Sequence, residues 1–214
     1  MSTARPLSFD VLTDAGRAAF AMHSRITDEA GFHLADGTGL ALQLGHRRSV
    51  DFDWFRGGEF FDPLALADRL RGGGLVLDVI STDRGELHAR VGGVRVSWLS
   101  YRYPLLEPLV ECRDMHCRLA SWLDIGAMKL SAITQRGSRK DFLDVVALLD
   151  HGVGLPTLLA AYRRKFTVED VGHVLRALVW FDGAEREPDS ILVSHTTWPD
   201  VRTKIVAAVR QRAR

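Results

Sequence analysis

Asp51 and Asp53 stand one residue apart in the string Ser49-Val50-Asp51-Phe52-Asp53-Trp54-Phe55. On an extended strand, residues i and i+2 point to one face, so the two carboxylates project side by side while Val50, Phe52 and Trp54 face the opposite way as core. Adjacent carboxylates repel and raise each other's proton affinity unless a cation sits between them. Mg2+ takes one or two carboxylates and fills its other positions with water and substrate phosphates. The spacing therefore predicts Mg2+ on Asp51 and Asp53; the plainer alternative is an edge strand with two solvated acids. Upstream, Gly37-Thr38-Gly39 opens a predicted helix, whose N-terminal N–H groups suit phosphate oxygens, with the Thr38 hydroxyl adding a hydrogen bond. Carboxylates, metal and phosphate cradle together point to phosphoryl or nucleotidyl transfer.

These groups need a sheet and a helix to hold them. Apolar spacing predicts an N-terminal helix over residues 10–25, a strand at Phe32–Asp36, a helix from Gly37 to His46 and the carboxylate strand over Ser49–Phe55. Asp62-Pro63 supplies an N-cap and a first-turn proline for a helix that stops at Gly72-Gly73-Gly74. Two alternating runs around Gly92-Gly93 read as a hairpin. From Pro104 to Arg118 the chain reads as an irregular crossover, and beyond it the strands give way to helices. Ser121 and Asp124 form a predicted capping box for the first of these. The fold class is α+β: a small mixed β-sheet domain over residues 1–105, then a mainly helical domain over 106–214 that completes the site.

The string from Leu34 to Phe55, with Gly37-Thr38, twelve intervening residues and Asp51-Phe52-Asp53, resembles the signature of DNA polymerase β-like nucleotidyltransferases. Together with the blocks around Lys129 (LASWLDIGAMKLSAI) and from Arg136 to Val145 (RGSRKDFLDV), it is similar to the nucleotidyl transferase AbiEii/AbiGii toxin family over roughly residues 30–185. The resemblance implies a Mg2+-dependent enzyme that moves a nucleoside monophosphate from an NTP to an acceptor hydroxyl, as the toxin of a toxin–antitoxin pair. It implies catalytic roles for Asp51, Asp53, Lys129 and Asp141, with Asp144 second to Asp141. It further implies nucleotide binding by Gly37, Thr38, Arg136 and Lys140. Transfer to tRNA ends and a cognate antitoxin partner come with the family. The chain departs from the pattern twice: Asp36 stands where the family commonly has glycine, and Ser97 stands where many such transferases place a third carboxylate. Ser97 leaves two alternatives open, a nucleotide-binding or partner-binding protein without transfer activity and a small-molecule nucleotidyltransferase.

Lysine and arginine number 28 against 27 acids, so a nucleic acid would have to be held by local patches rather than by net charge. The chain has no apolar run near eighteen residues, which predicts a cytoplasmic protein with no membrane partner. Cys112 and Cys117, with His116, offer too few ligands for zinc and read as ordinary thiols. The Lys140/Asp144 spacing allows an i,i+4 ion pair, His46-Arg47-Arg48 reads as a polar turn, and Tyr162-Arg163-Arg164-Lys165 reads as a solvated basic face.

Overall fold

A computed structural model describes residues 7–112, 116–187 and 196–212. Helix α1 (Asp14–Glu29) starts where Thr13 accepts a hydrogen bond from the Gly16 N–H at 3.0 Å. Strand β1 (His33–Leu34), helix α2 (Asp36–Leu44) and strand β2 (Asp51–Arg56) follow. Helix α3 (Pro63–Gly72), capped by Asp62, leads to strands β3 (Asp78–Asp83), β4 (Glu86–Val91) and β5 (Val94–Ser100). The crossover region contributes two strands that the sequence pattern does not announce, β6 (Val110–Cys112) and β7 (Cys117–Leu119). They are three residues each, too short for alternation to show.

The seven strands form one mixed sheet in the order β3-β4-β5-β2-β1-β7-β6. Strand β2 runs parallel to β5 and antiparallel to β1, and β1 runs parallel to β7. The sheet thus draws strands from both sides of residue 105. Cys112 and Cys117 are partners in the β6–β7 register and are not joined by a disulfide.

One sheet face is apolar. Phe52, Trp54, Val96 and Trp98 are buried there against α1 and α3. Val50 does not join them: it lies before β2 begins and is 66% exposed. The two tryptophans carry N–H groups that need partners in a dry layer. Trp98 donates to Thr27 Oγ1 (3.1 Å) and Trp54 donates to His23 Nε2 (3.0 Å). His23 in turn donates from Nδ1 to the Ala19 carbonyl (2.5 Å), which fixes its neutral tautomer. Burial pushes the His23 pKa down to about 4, despite that carbonyl. A histidine depressed in the fold contributes stability that is complete above its unfolded pKa near 6.5 and is lost as pH falls towards 4, about 3 kcal/mol for this shift. The melting temperature is therefore expected to fall between pH 6.5 and 4.5, with the His23 imidazole still neutral by NMR at pH 5. Titration of His23 near 6.5 would refute this.

The other half of the core is helical: α4 (Trp122–Gln135), α5 (Arg139–Asp150), α6 (Leu155–Phe166), α7 (Gly172–Leu178), α8 (Asp182–Glu185) and α9 (Trp198–Arg212). Helix α4 packs against α5, α6 and α7, and also touches α2. Ser121 caps α4 as expected, accepting from the Asp124 N–H at 3.0 Å. The Asp124 carboxylate does not return to the Ser121 backbone. It is buried against Lys165 Nζ (2.6 Å) and the Leu106 N–H (2.9 Å). Lys165 is thus a core residue rather than part of a solvated basic face. Among the described residues, no single helix is long and apolar enough to cross a membrane.

Candidate active site

The polar face of β2 meets the start of α2 and the facing sides of α4 and α5. Two hydrogen bonds fix α2 to the carboxylate strand. The Ala35 N–H donates to the Asp53 carbonyl (3.2 Å), and the Thr38 hydroxyl donates to the Asp51 carbonyl. Thr38 Oγ1 also pairs with Ser49 Oγ at 2.6 Å, so this buried hydroxyl ties α2 to the site's backbone. Ala35, at the N-cap, brings no capping side chain, which leaves the first N–H groups of α2 without that partner.

Asp36, the first residue of α2, has φ +54°, a left-handed conformation that aspartate tolerates better than most residues. Its carboxylate is ion-paired with Lys129 Nζ. Lys129, for which the resemblance implies a catalytic role, is 1% exposed and also contacts Asp144 Oδ2 (2.9 Å) and Asp141 Oδ1 (3.1 Å). Burial disfavours its charge, but Asp144, Asp36 and Asp141 outweigh that and hold its pKa above the ordinary lysine value. Asp141 also accepts from Arg136 Nε (3.0 Å) and Nη2 (3.1 Å) and from Ser138 Oγ (3.0 Å). Asp144 accepts a fork from Arg47, Nε at 2.6 Å and Nη2 at 3.0 Å, and a bond from His46 Nε2 at 2.7 Å. Burial works against both carboxylates, yet their cations keep them ionised, Asp144 well below the usual range.

Three cations, Lys129, Arg47 and Arg136, thus face three carboxylates, Asp36, Asp141 and Asp144. The cluster is neutral as it stands. Asp51 and Asp53 lie beside it, and among the described residues neither has an ion-pair partner. Burial first, then Asp36 and Asp51, push the Asp53 pKa up to about 6, against the Ser97 hydroxyl and Lys129, which favour its charge. Ser97 is the register partner of Asp53 on β5 and contacts His88 Nδ1 at 3.1 Å. No three His, Cys, Asp or Glu side chains among the described residues are grouped to hold a metal. The donor set is two carboxylates short of counter-charge, which suits a Mg2+ ion whose other ligands are phosphate and water.

Sequence reasoning brings Gly37, Thr38, Asp51, Asp53, Lys129, Arg136 and Asp141 to one place. Lys140 is exposed, and the expected Lys140–Asp144 pair does not form, because Asp144 faces inward to Arg47 and Lys129. His46 and Arg47 are more than a polar turn. The fork from Arg47 to Asp144 spans 97 residues, and only the folded chain reveals it. Gly37 earns its place here: a Cβ would collide with Arg47 Nη2 and stand 3.6 Å from Lys129 Nζ. Because the fork to Asp144 holds Arg47 in place, Gly37→Ala is expected to cost about 1–3 kcal/mol. Denaturant unfolding measures this, and an unchanged midpoint would show that Arg47 can step aside.

A relative decides the family. The uncharacterized protein aq_aa25 of Aquifex aeolicus (strain VF5) is 35% identical over 164 residues, covering 73% of this chain and 76% of that protein. The chain belongs to the aq_aa25 family. No protein-family model matches it, so within the aq_aa25 family the narrower AbiEii/AbiGii resemblance rests on the motifs. Its fold is that of a nucleotidyltransferase toxin. MenT4, nucleotidyltransferase toxin Rv2826c from Mycobacterium tuberculosis H37Rv, superposes with TM-score 0.60 and 18% identity, covering 93% of this chain and 82% of that one. A CCA-adding enzyme in complex with CTP overlaps at TM-score 0.36 and 15% identity, too loosely to bear on the fold.

Proposed function

We propose that this member of the aq_aa25 family is a Mg2+-dependent nucleotidyltransferase, the toxin of a toxin–antitoxin pair, that moves a nucleoside monophosphate from an NTP to an acceptor hydroxyl. The observation that carries this reading is the charge layout: two adjacent strand carboxylates with no counter-ion, beside a balanced cluster at an uncapped helix start. Asp51 and Asp53 would hold Mg2+, which neutralises phosphate charge and orients the triphosphate. The N–H groups at the start of α2 bind phosphate oxygens, next to the close backbone approach that Gly37 allows. Arg136, about half exposed, offers its free edge to the triphosphate while Asp141 fixes its plane. Asp141 is thus a positioning carboxylate, too strongly ionised to serve as a base. The acceptor hydroxyl attacks the α-phosphorus in line, the bond to the β-phosphate breaks, and pyrophosphate leaves. The hydroxyl proton leaves to solvent water, and the Ser97 hydroxyl orients the Asp53 carboxylate. Most of the rate enhancement in such a step comes from positioning and electrostatics.

Incubation with each α-labelled NTP, Mg2+ and total tRNA tests the reading. Label in RNA from the wild type, absent with Asp51→Ala/Asp53→Ala, is the expected result. A second reading, nucleotide binding without transfer, is favoured by Ser97. It predicts that Ser97→Asp gains transfer activity that the wild type lacks. Co-purification of a protein partner from the native host tests the antitoxin.

A further inference from the structure

We infer that Asp36 is a specificity-determining residue: its carboxylate holds the place of a substrate phosphate on Lys129, and a metal-bound polyphosphate displaces it where an unchelated phosphate does not. This rests on the transferase reading and adds how the same site chooses its ligand. An ammonium has three N–H bonds and no acceptor. The buried ammonium of Lys129 has three carboxylates as ion-pair partners, Asp36, Asp141 and Asp144. A phosphate oxygen therefore reaches it only in place of one of them.

The three are not held equally. Asp141 also accepts from Arg136 and Ser138, Asp144 also accepts from Arg47 and His46, and both side chains are 0% exposed. Asp36 has no other ion-pair partner among the described residues, and its side chain is 23% exposed. Asp36 is the carboxylate that can leave. It also stands where the phosphates arrive, as the first residue of α2, directly after Ala35, whose N–H is bound to the Asp53 carbonyl. After burial, Asp36 is the first charge that raises the Asp53 pKa, ahead of Asp51. Turned off Lys129, it is left beside Asp51 and Asp53, and three carboxylates without a cation oppose one another. An unchelated phosphate adds negative charge to that group and brings nothing to offset it. Mg·NTP brings the cation together with the phosphate that takes over Lys129.

The test is calorimetric binding of two probes, inorganic tripolyphosphate in EDTA and Mg·ATP, at one ionic strength. The proteins are wild type, Asp36→Asn and Asp36→Gly, with melting curves to confirm that each is folded. Asparagine and glycine both accept the left-handed backbone of this position, so either variant can carry the test. Asp68→Asn, on the exposed side of α3, makes the same change in net charge away from the site. Wild type should bind Mg·ATP and bind metal-free tripolyphosphate poorly. Removing a unit charge a few ångströms from the phosphate should raise tripolyphosphate affinity by about 10-fold or more in both Asp36 variants. Their gain for Mg·ATP should be smaller, because the metal already cancels part of the ligand's charge. Asp68→Asn should change neither. Equal tripolyphosphate affinity in wild type and the Asp36 variants overturns the inference, and with Mg·ATP still bound it leaves the transferase reading standing. Weaker binding by the variants also overturns it, since Asp36 would then be a ligand and not a competitor. Binding of neither probe by any of the proteins overturns the inference and the transferase reading together.

Discussion

Metal-free protein carrying Asp51→Asn and Asp53→Asn will be more stable than wild type at pH 7.5, by about 1–3 kcal/mol, and will bind no Mg·NTP. The gain follows from electrostatics. Asp53 is pushed up to about 6 by burial and then by Asp36 and Asp51, so its ionised form is a burden on the fold. A carboxyl whose pKa rises on folding contributes stability below its unfolded value near 4 and loses it as pH rises through 6. This window runs opposite to that of His23, which loses stability as pH falls. Unfolding in EDTA from pH 4 to 7.5 therefore separates the two groups, and the double variant removes only the acid's share. Saturating Mg·NTP should then raise wild-type stability, by about 2.7 kcal/mol at a hundred times Kd, and leave the variant unmoved. A variant less stable than wild type without metal, yet equally stabilised by Mg·NTP, would dismiss the metal pair.

Lys129→Met is expected to cost about 3–5 kcal/mol, because it removes the one cation that Asp36, Asp141 and Asp144 share and leaves three carboxylates against two guanidinium groups around a buried apolar chain. At this chain length that lowers the melting temperature by roughly 10 °C or more. Lost activity in this variant alone would therefore say little about catalysis. Adding Asp36→Asn should restore part of the stability, since asparagine accepts the left-handed backbone and removes one of the stranded charges. A loss below about 1 kcal/mol for Lys129→Met would mean that the three carboxylates find other partners, and the neutral-cluster account would fail.

The strand pair and its acids were legible because period-two alternation is local: Phe52 and Trp54 go to the core, Asp51 and Asp53 to the other face. Helices α3 and α4 announced themselves by caps, and α2 by its opening glycines and apolar spacing. Strands β6 and β7 were not readable, since three residues cannot display a period. The roles of Arg47, His46 and Asp144 were hidden for another reason. Nothing near His46 and Arg47 in sequence marks them as buried, and their common partner lies almost a hundred residues away. Asp36 could be noticed as an oddity beside Gly37, but its pairing with Lys129 depends on how α4 meets α2.

The placement of β7 against β1, and of Asp144 against Arg47, gives the molecule a timetable. During synthesis the first half of the chain emerges with one edge of β1 unpaired and with Arg47 lacking its carboxylate partner. Strand β7 closes that edge, and only the arrival of α5 supplies Asp141 and Asp144. A nascent chain that has not delivered α5 has no fixed Lys129 and no fork on Arg47, so the candidate site is incomplete until most of the chain has left the ribosome.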